Sequence, residues 1–490
     1  METFVAKTLQ GLEEVLANEL KQIGADNVTI GRRAVTFDGT LETLYKANVH
    51  SRTALRILRP IATFKASSTD QLYAGAKALQ WENYMDVDQT FLIETTLYSP
   101  IITNSRFATY KVKDAIADYF NEKCGKRPSI SVTKPDIYIN LHISDTTCTL
   151  SLDSSGEPLF KRGYRVAQTE APINEVLAAG MLLLAGWRGQ SDFMDPMCGS
   201  GTIAIEAALI ALNIPPGIFR QSFAFENWKD FDDDLFDAIY NDDSHERVFK
   251  HTIYASDISK KALAVAEANA KNAGLSKYIQ FTACSFADVP QQSKPLLMVT
   301  NPPYGERLNR DDVNALYNMI GSTLKHKFAG STAWVISSNL EAFDKVGLKP
   351  DAKIHLINGS LPCDFRKYTL FSGKHKEFKS KVVGTHGSYA RGPKSKVVGT
   401  HGSCVRGPKS KVVGTHGSCV RGPKSKVVGT HGSCVRGSKS KVQNHPVGVK
   451  LNNRQVLSEQ SERKACVKVQ SSRSKVSIRR LVGSPIYQKF

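Results

Sequence analysis

The chain has 490 residues, too many for one small module and, at roughly 100 to 200 residues per domain, enough for two to four domains. With 41% apolar and 23% charged residues, it fits neither wholesale disorder nor a membrane bundle. Formal net charge is +19, but 26 of the 65 basic residues and only 3 of the 46 acidic ones follow Ser372, which leaves 39 basic and 43 acidic residues before it. The excess positive charge, with the polyanion affinity it implies, therefore belongs to the tail and not to the body.

From the N-terminus, Phe4 to Ile23 places Val5, Leu9, Leu12, Leu16 and Leu20 at helical spacing among acidic residues, which predicts an amphipathic helix and not a signal peptide. Val28 to Phe37 alternates like a strand and Leu41 to Asn48 reads as helix, completing a small α+β module. Strands at Ala54 to Phe64 and Gln89 to Tyr98 flank a helix at Thr69 to Ala78. Another helix, Ser105 to Cys124, precedes strands at Ser129 to Thr133, Ile137 to Ser144 and Thr147 to Leu152. A basic connection, Lys161-Arg162-Gly163-Tyr164-Arg165, then leads into a different pattern.

From Ala171, strands and helices alternate. Helix Asn174 to Ala185 is followed by strand Asp192 to Asp195, helix Thr202 to Leu212, an irregular insert, strand Thr252 to Asp257 and helix Lys260 to Ala273. Strands Ile279 to Cys284 and Leu296 to Asn301, helix Asp311 to Lys325 and strand Ser331 to Ser337 complete the series. Alternation of this kind means βαβ units around a parallel sheet, which binds ligands beyond the carboxyl ends of its strands. The longest nearly apolar run, Val176 to Trp187, is too short to cross a bilayer. The nine cysteines include no C-x-x-C pair, and before the tail no histidine stands at ligand spacing from any of them. A reduced, soluble, cytoplasmic protein with no metal is expected.

The tail carries a 15-residue unit, KVVGTHGSCVRGPKS, four times over 381–440, with Tyr389-Ala390 in the first copy and Ser438 in the last as departures. Rich in Gly and with a Val pair as its longest apolar stretch, it cannot offset the entropy of ordering, so disorder is expected over 373–490.

Two constellations carry chemistry. Asp195-Pro196-Met197-Cys198-Gly199-Ser200-Gly201-Thr202 ends a strand and opens a helix, where glycines let a ligand approach and the helix N-terminus offers free N–H groups. A dinucleotide fingerprint would set a carboxylate beside a pyrophosphate; Asp195 better suits an ammonium and a nearby sulfonium, the charged groups of S-adenosylmethionine. Asp257, closing the next strand, would accept from the ribose hydroxyls. The second constellation is Asn301-Pro302-Pro303-Tyr304. An exocyclic amine on a nucleobase is a poor nucleophile because its lone pair is delocalised into the ring. The Asn301 side-chain oxygen and the Pro302 carbonyl can each accept an amine N–H, the prolines hold them rigid, and Tyr304 offers a flat face to an extruded base.

The segments Asn104 to Asp118, Lys161 to Arg165, Ala171 to Ala179, Asp195 to Ile203, Ser256 to Ile258, Thr300 to Leu308 and Ile357 to Phe365 together give Met1 to Phe371 a specific resemblance. The chain resembles THUMP-domain class I S-adenosylmethionine-dependent RNA methyltransferases, of the bacterial type that methylates guanine N2 in 23S ribosomal RNA. The resemblance implies an α/β architecture: a ferredoxin-like region at 1–50, a THUMP RNA-binding domain at 51–157 and a Rossmann-like methyltransferase domain at 158–372. It implies cofactor contacts from Asp195, Cys198, Gly199, Gly201, Thr202, Asp257 and Ile258, and catalysis by Asn301, Pro302 and Tyr304. Where the family usually has an acid for the adenine amine, this chain reads Cys284-Ser285-Phe286-Ala287-Asp288, and Asp288 is the preferred candidate over Ser285. RNA, as 23S rRNA or a ribosomal assembly intermediate, is the implied partner. Arg106, Lys111 and Lys113 on the long helix and Lys161, Arg162 and Arg165 in the connection are candidate RNA contacts. Rival readings are an N6-adenine, tRNA or protein-amide methyltransferase, and a non-catalytic RNA-binding protein.

Overall fold

The computed structural model describes residues 1–304 and 309–371. The expectations placed on 373–490, the repeats included, and on Gly305 to Leu308 fall outside them.

Two seven-stranded sheets organise the described chain. The first is built from β1 (Glu2–Lys7), α1 (Glu13–Gln22), β2 (Asp26–Gly31), β3 (Ala34–Gly39), α2 (Leu41–His50), β4 (Arg56–Lys65), α3 (Thr69–Lys77), β5 (Phe91–Tyr98), α4 (Ser105–Cys124), β6 (Ile137–Ser144) and β7 (Thr147–Asp153). Its order is β2-β3-β1-β4-β7-β6-β5, antiparallel except for the β5 and β6 pair. The regions expected at 1–50 and 51–157 thus share one sheet, joined where Val5, Ala6 and Lys7 of β1 pair with Leu58, Ile57 and Arg56 of β4.

One expectation fails at the start. Residues 4–7 are strand and not helix: Phe4 and Ala6 are fully buried while Val5 is only partly so, the alternation of a pleated sheet. The helical spacing starts further on, at Leu12. Likewise 129–133 forms no strand. Only Ile130 bridges to Phe91, and Pro128 and Pro135, with no N–H to donate, bracket the segment. By contrast α4 has the expected limits, because Asn104 Oδ1 accepts from Phe107 N at its start and Gly125, at φ +66°, ends it in a left-handed conformation.

The second sheet comprises α5 (Glu175–Leu184), β8 (Asp192–Asp195), α6 (Thr202–Leu212), α7 (Asp233–Tyr240), β9 (Ile253–Asp257), α8 (Lys260–Asn272), β10 (Ile279–Ala283), β11 (Leu296–Thr300), α9 (Arg310–Lys327), β12 (Thr332–Ser337), α10 (Leu340–Lys345), β13 (Ala352–Asn358) and β14 (Leu361–Thr369). Its order is β10-β9-β8-β11-β12-β14-β13, with the first five strands parallel. The last two form an antiparallel hairpin on β12 that the sequence pattern does not announce. All eleven residues of α6 are buried, nine of them apolar and the other two Thr202 and Glu206.

The insert after α6 packs against the first sheet's core. Phe225 stacks on Tyr45 with ring centroids 4.6 Å apart, Asp232 N donates to Tyr45 Oη at 3.0 Å, and Arg59 pairs with Asp230 at 2.6 Å. Below that contact lies a chain of buried charge. Arg162, 2% exposed, donates through Nη1 to Leu159 O and through Nη2 to Arg52 O, and its Nε lies 3.4 Å from Glu206 in α6. Tyr164 Oη donates to the same Glu206 oxygen at 3.1 Å. Half of the basic connection is therefore interior scaffold.

Candidate active site

The carboxyl ends of β8, β9, β10 and β11 open on a cavity of about 960 Å³. β8 ends on Asp195 and β11 on Thr300, in adjacent register, so Thr300 Oγ1 donates to Asp195 Oδ1 at 3.2 Å and Asn301 follows directly. Asp195 is almost fully buried, and burial, reinforced by the nearby Asp257 charge, pushes its carboxyl up to about 7; the hydrogen bonds from Thr300 and Met197 oppose this. Its second oxygen, Oδ2, has no hydrogen-bond partner among the described residues, and neither has the buried Asn301 Oδ1.

The glycine loop is set by geometry. Gly199 has φ +52° and open space where a Cβ would stand, while Gly201, at φ +80°, would drive a Cβ to 2.9 Å from that of Ala266 in α8. Gly199 therefore leaves room for a ligand and Gly201 lets two helices approach. Asp257 accepts from Gly199 N at 2.9 Å and from Ser259 N at 2.8 Å, which fixes the acid at the loop's edge. Tyr304 Oη accepts from Asn358 Nδ2 at 2.6 Å, and burial holds the phenol above its ordinary range.

Of the expected site residues, Asp195, Cys198, Gly199, Thr202, Asp257, Ile258, Asn301, Pro302 and Tyr304 line this cavity; Gly201 lies behind it as the N-cap of α6. Asp288 does not line it. That carboxylate is exposed at the end of a short 3-10 turn, whereas Cys284, Ser285 and Phe286 form the wall, because the turn that starts after Ser285 carries Asp288 outward. Residues that motif reading missed also line it: Thr169 and Ala171 to Ile173 in the segment before α5, and Asn358 to Leu361 at the β13–β14 tip.

The expected RNA contacts divide. Arg106, Lys111 and Lys113 lie on α4, with Arg106 exposed, Lys111 3.3 Å from Asp70 and Lys113 2.7 Å from Asp114. The neighbouring Phe107 and Tyr110 are about half exposed. Lys161 is exposed and paired with Glu157. Arg162 and Arg165 are corrections: the first is enclosed with Glu206, and the guanidinium of the second is bound by Glu175, Ser200 and Thr202, so neither offers its charge to an outside polyanion.

Comparison with known proteins matches three families in order: an RlmL ferredoxin-like domain at residues 3–58, a THUMP domain at 66–153 and an RMKL-like methyltransferase domain at 162–367. A Synechocystis sp. protein named as an RNA methyltransferase, slr0064, is 37% identical over 371 residues, covering 75% of this chain and 97% of its own. The chain belongs to the THUMP-domain class I RNA methyltransferases that use S-adenosylmethionine. Ribosomal RNA large subunit methyltransferase K/L of Syntrophotalea carbinolica is 40% identical over 381 residues, and the chain spans about half (53%) of that relative's length. Among solved structures, SMU.472, named as a methyltransferase and complexed with SAH, superposes with a TM-score of 0.69 at 31% identity, over 76% of this chain and 99% of its own. A Listeria monocytogenes protein named as an N6-adenine-specific DNA methylase gives 0.67 at 31%, over 75% and 96%.

The site's own residues fit the family cofactor. Asp195 Oδ2 is a buried acceptor without a donor among the described residues, suited to a cationic group, and Gly199, which lines the same cavity, leaves open space where a side chain would stand. No described helix is long and apolar enough to cross a membrane.

Proposed function

We propose that this chain methylates the exocyclic N2 amine of a guanine in large-subunit (23S) ribosomal RNA, with THUMP and ferredoxin-like regions at 51–157 and 1–50 presenting RNA to a catalytic domain at 158–372. The observation that carries the reading is the buried Asn301 Oδ1, without a hydrogen-bond partner among the described residues, on a residue that lines the same cavity as Asp195. A buried acceptor left without a donor costs about 1–3 kcal/mol, and an amine N–H would recover it.

S-adenosylmethionine supplies a methyl group already activated by its sulfonium. Asp195 and Asp257 place negative charge beside the glycine loop and favour a cation there. Asn301 Oδ1 and the Pro302 carbonyl accept the two amine hydrogens and so turn the lone pair out of the ring's conjugation. Tyr304, its hydroxyl held by Asn358, keeps a fixed ring for the extruded base to stack on. No side chain has to remove a proton before attack. The K/L name of the curated relatives supports ribosomal RNA as the substrate. The second reading, N6-adenine, is favoured by the Listeria neighbour's name, since the same two acceptors serve either amine.

The test is methyl transfer from labelled S-adenosylmethionine to 23S rRNA, naked and in precursor particles, with mass-spectrometric mapping of the product. N2-methylguanosine supports the proposal, N6-methyladenosine transfers it to the second reading, and no methylation of any RNA overturns both.

A further inference from the structure

Arg165 sits behind the glycine loop, 16% exposed, and lines no part of the cavity. Its Nε donates to Glu175 Oε1 at 2.8 Å, Nη1 to Ser200 Oγ at 3.0 Å and Nη2 to Thr202 Oγ1 at 2.9 Å. One guanidinium thus ties the first turn of α5 to the first turn of α6. The direction of these bonds matters. Arginine has five donors and no acceptor, so both hydroxyl oxygens must receive from it and both hydroxyl protons must point elsewhere. One proton can be used in the 3.3 Å contact between Ser200 Oγ and Thr202 Oγ1. At least one remains to donate, and both residues line the cavity. The free N–H groups at the start of α6 add positive potential in the same place.

We propose that Arg165 is a positioning residue for a carboxylate: it orders the Ser200 and Thr202 hydroxyls as donors toward the cavity, where the carboxylate of the cofactor's amino-acid end binds. The inference rests on the cofactor assignment and not on the RNA substrate. It also returns a function to a residue that the sequence pattern assigns to RNA.

The experiment is calorimetric titration of the full chain with S-adenosylhomocysteine and, in parallel, with 5′-methylthioadenosine, which has the same nucleoside and no amino-acid end. Arg165→Met should weaken S-adenosylhomocysteine about tenfold or more and change 5′-methylthioadenosine by less than about twofold. Arg165→Lys, which keeps the charge but not the fork, should recover part of the loss. Wild-type salt dependence of RNA binding should persist in both. Equal weakening of the two ligands would mean that Arg165 only props the loop, and unchanged binding of both would remove it from the site; either result overturns the proposal. If Arg165→Met does not fold, Ser200→Ala read against the same two ligands carries the test with the same outcomes. A wild-type chain that binds neither ligand would instead refute the cofactor assignment itself.

Discussion

The outer face of α4 and the cavity end of the parallel sheet handle polar groups in opposite ways. In the first, the residues suited to RNA stand at the surface of α4: Arg106 is exposed, and Lys111 and Lys113 have acidic neighbours in reach of water. In the second, polar atoms are drawn inside, with Asp195 almost fully buried and Asn301 Oδ1 and Asp195 Oδ2 left without hydrogen-bond partners among the described residues. A surface that meets a polyanion in water costs the fold almost nothing. A pocket that must grip a small cation and sharpen an amine in low dielectric stores unsatisfied charge, and the fold is less stable for it.

Four measurements can break or sharpen that contrast. The largest effect should come from Arg162→Met, which takes from the buried Glu206 the cation it faces; about 3–5 kcal/mol of stability should be lost in denaturant melts. A loss below about 1 kcal/mol would show that the enclosed pair is no scaffold. Next is Asp195→Asn. The unfolded carboxyl ionises near 4 and the folded one at about 7, so between these values the unfolded chain releases a proton that the folded chain keeps. Wild-type stability without ligand should therefore fall as pH rises from about 4 to 7 and level off above, whereas the Asn variant should not follow that fall. Above pH 7 the variant should be the more stable, by as much as about 4 kcal/mol, and should bind S-adenosylmethionine poorly. For the wild type, affinity for the cationic cofactor should climb with pH toward 7 and then hold. A pH-independent affinity would mean that this carboxylate does not meet the cofactor.

Asn301→Ala should lower turnover by about 10²–10³-fold while S-adenosylhomocysteine affinity stays within about twofold, since its oxygen is assigned to the amine. Loss of both together would move Asn301 to the cofactor side. The smallest effect belongs to the outer surface: Arg106→Gln should leave stability within about 0.5 kcal/mol and reduce the salt slope of RNA binding by about 1. An unchanged slope would take Arg106 off the RNA path.

Much of the parallel sheet is readable in the sequence because most of its strands are short and followed by a helix, as β9 is by α8 with Ser259 as its cap and β11 by α9 with Asn309 as its cap. The glycine loop and Asn301-Pro302-Pro303-Tyr304 are likewise local, and the fold brings them to one cavity. What escapes is non-local. The tip at Asn358 to Leu361 reaches the cavity only through the β12–β14 pairing, and no period in the sequence marks that contact. The misassigned arginines fail for the same reason: Lys161 to Arg165 reads as a run of surface charge, and only packing shows that Glu206 and Glu175, from two different helices, wait for two of those cations. Asp288 fails locally, since one tight turn after Ser285 is enough to swing a carboxylate from wall to solvent.

The sharing of β4 has a practical corollary. Cutting the chain ahead of it, to obtain the RNA-binding portion alone, would strip β1 away and bare the amide and carbonyl groups of Arg56, Ile57 and Leu58 that now pair with it. Such a fragment would present an adhesive strand margin to its own copies, and its solution behaviour would report self-association before it reported anything about RNA.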